Sequence, residues 1–387
     1  DETKQIPAYT GFWFGWSAFH PHGEIWGKAP PKPRPELAII FKEAGDLSRA
    51  REGESATLLK NGKVLIAGGD NGRAPMLAAA ELYDPAKHTF TTVGKMAYPR
   101  GGHDATLLPD GKVLITGGID DLNVIRNAEV YDPATGQFKA VEPMSTKRQK
   151  HTATLLKSGQ VLITGGYKGD AYPTSSTELY DPAKGSFAAG PPMTSARQNH
   201  AATLLPNGRV LITGGMGGKG LTTDSAEIYD PATGRFAPAG KMSSVRQGHS
   251  ATLLKNGQVL IAGGSSDAVS ALTSAEVYDP AANRFIPVNN MSDGRQGHRA
   301  VLLGNGDVLI VGGGGIDPRH RYLASVELYD PATKKFALLG EMLLPRFGPT
   351  LTLLDNGEVL VTGRYSAPNY FATATAELYE PPAKAKQ

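Results

Sequence analysis

The amino-acid sequence predicts an all-β fold, a ring made of seven copies of one four-stranded unit. Three motifs recur in step along the chain and carry this prediction: a Gly-Gly pair, a Tyr-Asp-Pro triplet and a single arginine. The Gly-Gly pairs begin at Gly68, Gly117, Gly165, Gly214, Gly263 and Gly312, and a degenerate seventh copy reads Gly363-Arg364. Their spacings of 49, 48, 49, 49, 49 and 51 residues indicate a repeat architecture, so we expect one domain rather than two.

Each copy is interpreted as four short strands, which the third copy shows in order. Residues 151–156 form the first strand, and a Ser-Gly turn closes a tight hairpin into the second strand at 160–164. The second strand ends at Gly165-Gly166, a variable loop follows, and the third strand ends at Tyr180 before an Asp-Pro turn. The fourth strand carries a phenylalanine. A four-stranded antiparallel unit repeated in this way is typical of a β-propeller, with one blade per copy.

The two ends of the chain predict how the ring closes. The seventh copy lacks its fourth strand, because the chain ends eight residues after Tyr379. Phe41 lies six residues before Leu47, just as the phenylalanine of the first copy lies six residues before a methionine. Residues 37–47 are therefore predicted to complete the last blade and to pair its open edge. This divides the chain into an aromatic and proline-rich extension at 1–36, one propeller at 37–381 and a tail at 382–387.

The repeats resemble the kelch-repeat family, and in particular bacterial galactose-oxidase-like kelch repeats. The residues that carry the resemblance are the Gly-Gly pair, a Tyr about 14 residues later and an aromatic about seven residues after that. Kelch blades usually have Trp at this last position, where the present chain has Phe90, Phe138, Phe187, Phe236, Phe285 and Phe336. The related copper-radical enzymes need a Tyr cross-linked to Cys. The chain has no Cys, so that chemistry is excluded and we expect no cofactor.

The repeated arginines are the first candidate site. The strand order places them with the Gly-Gly pairs and the variable loops at one end of the central channel, whereas the uniform turns lie at the other end. Guanidinium groups beside amides suit carboxylate, sulfate or phosphate groups, and the kelch resemblance implies capture of acidic peptides at this position. The predicted ligand-binding residues are Arg51, Arg100, Arg148, Arg197, Arg246, Arg295, Arg346, Gln149, Gln198, Gln247, Gln296 and Arg364.

A structural role for the same arginines is an open alternative. Every copy also carries a glutamate just before its tyrosine motif, and the Gly-Gly strand lies between the two. Without side chains on that strand, each arginine could reach the glutamate of its own blade, and the two roles can coexist in different blades. The glutamates are Glu81, Glu129, Glu178, Glu227, Glu276, Glu327 and Glu377.

Repeated histidines and an unusual N-terminal segment are further candidates. Five copies carry a histidine three residues after the arginine, at His103, His151, His200, His249 and His298. Successive blades rotate by about 51°, so zinc distances of about 2 Å require side chains very near the axis, and we expect hydrogen bonding rather than a metal site. Residues 1–36 hold all three tryptophans. We expect these aromatic rings to pack against the propeller. The alternatives are that they bind a partner protein or form a binding platform for sugars.

Composition narrows the classes of function. The net charge of +3 gives no bulk argument for nucleic acid, and no apolar run is long enough for a transmembrane helix. We predict a non-catalytic binding protein that holds an anionic or carbohydrate ligand, or a protein segment, on the arginine face. The absence of Cys, the start at Asp1 and the kind of repeat favour an extracellular or periplasmic location.

Two other functions stay open at this point. One is a carbohydrate-active enzyme of the epimerase, mutarotase or lyase type, with an acid–base pair in the funnel chosen from Glu52, Glu54 and His320. The other is a scaffold whose partner binds the N-terminal aromatic residues. The variable loops of blades six, seven and one are the most cationic, so a ligand is expected there first.

Overall fold

The fold is that of a computed structural model, which describes residues 37–72, 75–170, 172–267, 271–315, 322–363 and 372–382. The N-terminal extension, Arg364 and His320 lie outside the described residues. The described strands form seven sheets of four antiparallel strands: six sheets each contain the strands of one sequence repeat, and the seventh combines three strands of the last repeat with the strand at Phe41–Arg51. The prediction of a seven-bladed, all-β propeller is confirmed.

The first two strands of each blade are four residues long. The innermost strands are β2 (Ser55–Leu58), β6 (Asp104–Leu107), β10 (Thr152–Leu155), β14 (Ala201–Leu204), β18 (Ser250–Leu253), β22 (Arg299–Leu302) and β26 (Thr350–Leu353). The second strands are β3 (Val64–Ala67), β7 (Val113–Thr116), β11 (Val161–Thr164), β15 (Val210–Thr213), β19 (Val259–Ala262), β23 (Val308–Val311) and β27 (Val359–Thr362). Each innermost strand contacts the innermost strands of both neighbouring blades, so these seven strands surround the central channel.

The two outer positions of each blade vary more in length. The third strands are β4 (Ala80–Asp84), β8 (Ala128–Asp132), β12 (Thr177–Asp181), β16 (Ser225–Asp230), β20 (Ala275–Asp279), β24 (Ser325–Asp330) and β28 (Thr373–Tyr379). The outermost strands are β5 (Thr89–Thr92), β9 (Gln137–Ala140), β13 (Ser186–Ala189), β17 (Arg235–Lys241), β21 (Arg284–Pro287), β25 (Lys335–Glu341) and β1 (Phe41–Arg51). The fourth variable loop also contains one turn of 3₁₀ helix at Gly218–Gly220. No helix among the described residues has the length and apolar character required to span a membrane.

The core lies between neighbouring blades. All four residues of every second strand are buried, because both faces of a blade pack against other blades. Between blades two and three, Leu114 and Met144 pack against Val161, Ile163 and Tyr180. Aliphatic residues on both faces of a short strand are therefore what this architecture requires, and they explain the Val-Leu-Ile runs of the sequence.

The N-terminal strand closes the ring, as predicted. β1 pairs antiparallel with β28, and Phe41 lies opposite Tyr379. Their ring centroids are 5.4 Å apart, whereas the equivalent Tyr180–Phe187 pair of blade three is at 4.9 Å. The strand covers Phe41–Arg51 and so extends further toward the first blade than the predicted 37–47. Just before it, the Ile40 N–H donates to the Glu341 carbonyl at 3.1 Å, which also ties the segment to blade six.

Candidate functional site

One end of the ring, which we call the upper face, collects the features that the sequence singled out. The second strands end there in the Gly-Gly pairs, and the segment that carries the arginine of the next blade runs over them. The Gly118 N–H of blade two donates to the Arg148 carbonyl of blade three at 2.7 Å. The residue after the arginine then pairs with the start of the variable loop, as Gln149 does with Tyr167. Arginines, glycine pairs and variable loops therefore share the upper face.

The two glycines of each pair have geometric reasons to be glycine. Gly117 and Gly118 both have positive φ, of 59° and 99°. A Cβ on Gly117 would overlap the Arg148 carbonyl oxygen, and the ring of His151 lies beside the same position. Only glycine combines this backbone conformation with so close a neighbour. The glycine pair is therefore the place where the arginine segment of the next blade packs against the end of the second strand.

Each repeated arginine is enclosed by its own blade, and Arg148 shows the arrangement. Its Nη1 donates to the carbonyls of Gly165 at 2.7 Å and Ser176 at 2.8 Å. Its Nη2 donates to Glu178 Oε1 at 3.0 Å. The Glu178 carboxylate in turn accepts the N–H groups of Ser145 and Thr146, just before the arginine. Arginine and glutamate together fix the segment that joins two blades.

The same ion pair recurs in all seven blades. The Nη2–Oε1 distances range from 2.6 Å in blade four to 3.0 Å in blades two, three and five. All seven arginine residues have no exposed surface. Burial lowers the pKa of Arg148, and the charge of Glu178 opposes that shift. The geometry is that of the structural alternative, with each guanidinium turned into its blade and away from the upper surface.

The glutamines stay closer to the surface than the arginines. Gln198 is buried, whereas Gln149, Gln247 and Gln296 are half-buried. Their backbones hold the variable loops, and the Asn199 amide donates to Gln247 Oε1 at 3.5 Å. Of the predicted ligand-binding residues that the structure describes, Gln149, Gln247 and Gln296 are the ones with partly exposed side chains.

The repeated histidines link neighbouring blades. His151 Nε2 is 2.9 Å from Thr116 Oγ1 of the preceding blade, and His103 Nε2 is 2.9 Å from Ser55 Oγ. Burial lowers the pKa of both rings to about 3. Within the described ranges, no group of three or more His, Cys, Asp or Glu side chains is placed to hold a metal ion. The repeated histidines are therefore neutral and form hydrogen bonds with the preceding blade.

The acid–base candidates from the sequence lie around the first blade. Glu52 is buried, and its backbone pairs with Asp70 in both directions at 2.7 and 2.9 Å. Glu54 takes the histidine position of blade one and accepts a hydrogen bond from Thr362 Oγ1 at 3.4 Å. Glu54 thus spans the junction between the last and first blades, the histidines span five of the other six, and Pro349 takes the histidine position of blade seven.

Exposed apolar side chains are the feature that sequence reasoning missed. Among the described residues, six large hydrophobic side chains are exposed: Ile39, Tyr98, Leu122, Tyr172, Leu221 and Leu343. All but Ile39 lie in loops of the upper face, three of them in the variable loops of blades two, three and four. We call these five residues the apolar rim. Their exposure depends on how the loops fold, so the repeat pattern alone gave no signal.

Two charged residues at the channel were also missed. Asp104 and Arg299 are the first residues of innermost strands β6 and β22. Burial raises the pKa of Asp104 to about 6, and the charge of Arg299 opposes that shift. The sequence already shows that these two positions differ from the other repeats. In the other copies that carry the repeated histidine, the residue after it is small and uncharged.

Comparison with known proteins supports the same architecture. The family profile described as the Kelch motif matches residues 105–145, 199–243 and 249–292. A solved fungal alcohol oxidase of the AA5 family, in complex with copper, is similar in fold with a TM-score of 0.73 and 17% identity, over 89% of this chain and 77% of that one. Matching chains of solved structures number 954, so the likeness identifies a widespread fold and selects no activity. No curated protein sequence gives a match. Motif matches in three of the repeats and the seven-bladed fold together support a kelch-repeat β-propeller.

Proposed function

We propose that the protein is a non-catalytic binding protein whose upper face holds a protein segment. The observation that carries the proposal is the apolar rim: five of the six exposed large hydrophobic side chains of the described chain lie on this one face. Exposed apolar groups gathered on one face of a soluble fold are typical of an interaction surface. The tyrosines of the rim, Tyr98 and Tyr172, belong to a residue type that is enriched where partners bind.

The loops of the upper face fit recognition better than the turns of the lower face. The lower turns repeat one geometry, in which the aspartate of the Tyr-Asp-Pro motif accepts an N–H two residues later, as Asp132 does from Ala134 at 2.9 Å. The upper loops differ from blade to blade in length and in side chains. Variable loops on a uniform support are the usual location of binding residues.

In this proposal the arginines support the binding surface and do not contact the ligand. Each guanidinium already donates to two backbone carbonyls or hydroxyls and to a glutamate, and lies below the surface. The predicted contact role passes to the half-buried amides of Gln149, Gln247 and Gln296 and to the apolar rim. An acidic segment remains compatible with the face, but its carboxylates are not held by the seven arginines.

Selection of displayed peptides tests the proposal. Peptides are selected from a random library on the wild-type protein, and their dissociation constants are measured for the variant Leu122→Lys/Tyr172→Lys/Leu221→Lys. We expect weakening of at least about tenfold, because apolar anchors dominate such interfaces. Ile39→Lys is the matched control, since it also replaces an exposed apolar residue but lies outside the upper face. Failure to enrich any peptide, or equal binding by the triple variant, contradicts the proposal.

The carbohydrate-active enzyme remains a second candidate, and Asp104 favours it. A carboxyl group in a channel with its pKa raised to about 6 is suited to proton transfer near neutral pH. Polarimetry of an anomerically pure uronic acid tests this function. An enzyme accelerates the change in rotation, and Asp104→Asn abolishes the acceleration. Equal rates with and without the protein contradict it.

A further inference from the structure

We infer that a groove between the outer parts of blades four and five is a binding site for a small aromatic carboxylate. The groove lies beside the lower turns, so this inference goes beyond the proposed binding of a protein segment on the upper face. Its volume is about 650 Å³. Small-molecule sites usually measure about 300–1,000 Å³, so the groove has the size of such a site.

Blade four forms one wall of the groove and blade five forms the other. In blade four, Ile228 and Ala237 lie opposite each other on β16 and β17, and Pro238 follows on the outermost strand. In blade five, Pro280 and Asn283 of the lower turn line the groove. The largely apolar lining suits the hydrocarbon part of a ligand, because contact with it removes apolar surface from water.

Two arginines lie at the lower end of the groove. Arg235 is opposite Asp230 in the β16–β17 pair, and Arg209 Nε is 3.0 Å from Asp230 Oδ2. The two guanidinium groups therefore flank one carboxylate. Arg209, Arg235 and Asp230 are the charged residues of the lining, so the groove has a net charge of one positive unit. This charge favours a ligand with one negative charge.

Both arginines have donors available for a ligand. The ion pair of Arg209 engages Nε, whereas its terminal nitrogens form no hydrogen bond with the described residues. The Arg235 side chain is exposed, and it forms no ion pair or hydrogen bond within the described part of the chain. Terminal guanidinium nitrogens can donate two parallel N–H groups to one carboxylate. Either arginine can therefore bind a ligand carboxylate.

The other repeats show that the pair of arginines is particular to this groove. At the register of Arg209 the other blades have Lys63, Lys112, Gln160, Gln258, Asp307 and Glu358. At the register of Arg235 they have Ile40, Thr89, Gln137, Ser186, Arg284 and Lys335. Only blade four has arginine at both positions. Six blades form without this pair, so the fold of a single repeat does not require it.

A structural role explains part of Arg209 but not Arg235. In blade one Lys63 is 3.1 Å from Asp84, and in blade five Gln258 donates to the aspartate of its own turn at 3.3 Å. The register of Arg209 thus holds the aspartate of the Tyr-Asp-Pro turn, for which a lysine or a glutamine is sufficient. The guanidinium of Arg235 has no such contact among the described residues. It is the second cation that points to a ligand.

The lining selects the class of ligand. A carboxylate matches guanidinium groups in charge and in planar geometry. An aromatic ring suits the rest of the groove, because guanidinium planes stack on aromatic faces and a flat ring fits between the walls of two blades. A lone inorganic anion would leave the apolar lining in water. The probe is therefore 2-naphthoate, and 2-naphthamide has the same ring system without the charge.

Equilibrium dialysis of the full chain against each probe tests the inference. We expect 2-naphthoate to bind with a dissociation constant of about 1 mM or tighter, which is usual for a ligand of this size. The amide should bind at least about fivefold more weakly, since it cannot form a charge-assisted pair with an arginine. Arg235→Gln and Arg209→Gln should each weaken 2-naphthoate binding by at least about fivefold.

Both substitutions introduce a residue that the fold already has at the same register. Gln258 takes the place of Arg209 in blade five, and Gln137 takes the place of Arg235 in blade two. We therefore expect both variants to fold, which a urea titration of each verifies. Arg284→Gln is the matched control, because it removes the same charge at the register of Arg235 in the next blade. It should bind 2-naphthoate within about twofold of the wild type.

Absence of 2-naphthoate binding overturns the inference, as does equal binding by the two groove variants and the wild type, or by the amide and the acid. An equal loss in Arg284→Gln also overturns it, because the effect would then come from overall charge. The Leu122→Lys/Tyr172→Lys/Leu221→Lys protein separates this site from the proposed upper-face function. It should bind 2-naphthoate as the wild type does, and loss of that binding would contradict a separate site.

Discussion

Removal of a single repeated arginine should destabilise the propeller far more than removal of a surface arginine. In Arg148→Met, the carbonyls of Gly165 and Ser176 lose their donor, and Glu178 is left as a buried charge without its cation. Breaking one side of a buried, hydrogen-bonded ion pair costs about 3–5 kcal/mol. We expect a loss in the upper part of that range, because the guanidinium also served two carbonyl groups.

A second substitution separates the effect of the unpaired charge from the lost packing. In Arg148→Met/Glu178→Gln the glutamine is neutral, and its single amide oxygen can still accept the N–H group of Ser145, although the second acceptor, used by Thr146, is lost. The double variant should therefore be more stable than Arg148→Met by about 2 kcal/mol or more, since the isolated buried charge is the largest single cost.

Urea unfolding monitored by fluorescence and circular dichroism provides the measurement. Arg209→Met is the matched control: its guanidinium is 3.0 Å from Asp230 but about half of the side chain is exposed. Exposed pairs contribute at most about 1 kcal/mol. The reasoning is refuted if Arg148→Met loses no more stability than Arg209→Met, or if the double variant is no more stable than the single one.

Three further outcomes follow from the same contacts. Gly117→Ala should prevent or severely impair folding, because the added Cβ overlaps the Arg148 carbonyl oxygen. Gly136→Ala is the control: Gly136 also has positive φ but no atom lies within 4 Å of the added Cβ, so the loss of unfolding free energy in a urea titration should be about 1 kcal/mol. Equal losses in the two variants would contradict the account. Phe41→Ala should cost about 3–4 kcal/mol and open the ring at blade seven, where β1 pairs with β28, measured as faster hydrogen exchange in β28 than in β12. Stability should fall between pH 6.5 and 4, because the five buried histidines have folded pKa values far below the unfolded value of 6.5 and the unfolded chain binds protons first. Each histidine lowers the free energy of unfolding by up to about 1.4 kcal/mol per pH unit in that window. Asp104 acts in the opposite direction, because its pKa is raised to about 6 and the folded protein therefore binds that one proton before the unfolded chain does. A urea midpoint at pH 5.0 equal to that at pH 7.5 would count against this prediction.

Much of the fold could be predicted because the motifs of each repeat mark where its four strands begin and end. The Gly-Gly pair, the Tyr-Asp-Pro turn and the phenylalanine mark the ends of short strands, and seven copies remove the ambiguity of any one of them. Even the closing strand was predictable, since Phe41 takes the place that the last copy leaves empty. The bounds of that strand were not, because its far end continues to pair with β28, with Asp46 opposite Thr375 and Arg51 opposite Thr373, beyond the length that the repeat pattern gives.

The candidate site was less predictable for physical reasons. The sequence allowed both a ligand and a glutamate as the partner of each arginine, and burial depends on how closely neighbouring blades approach. Leu122 and Tyr172 lie in loops that have no repeat to compare them with. Asp104 and Arg299 are unremarkable singly and stand out only when one register position is compared across the copies. That comparison was the signal that could have identified them.

The central claim is that the repeated arginines support the upper face and do not contact what binds there. Binding of the selected peptides to Arg148→Met/Glu178→Gln tests it most directly, because this variant lacks one guanidinium and its partner charge but is expected to keep the fold. The account predicts a dissociation constant within about twofold of the wild type, at a temperature where urea unfolding shows the variant to be folded. A folded double variant that binds at least about tenfold more weakly would contradict it.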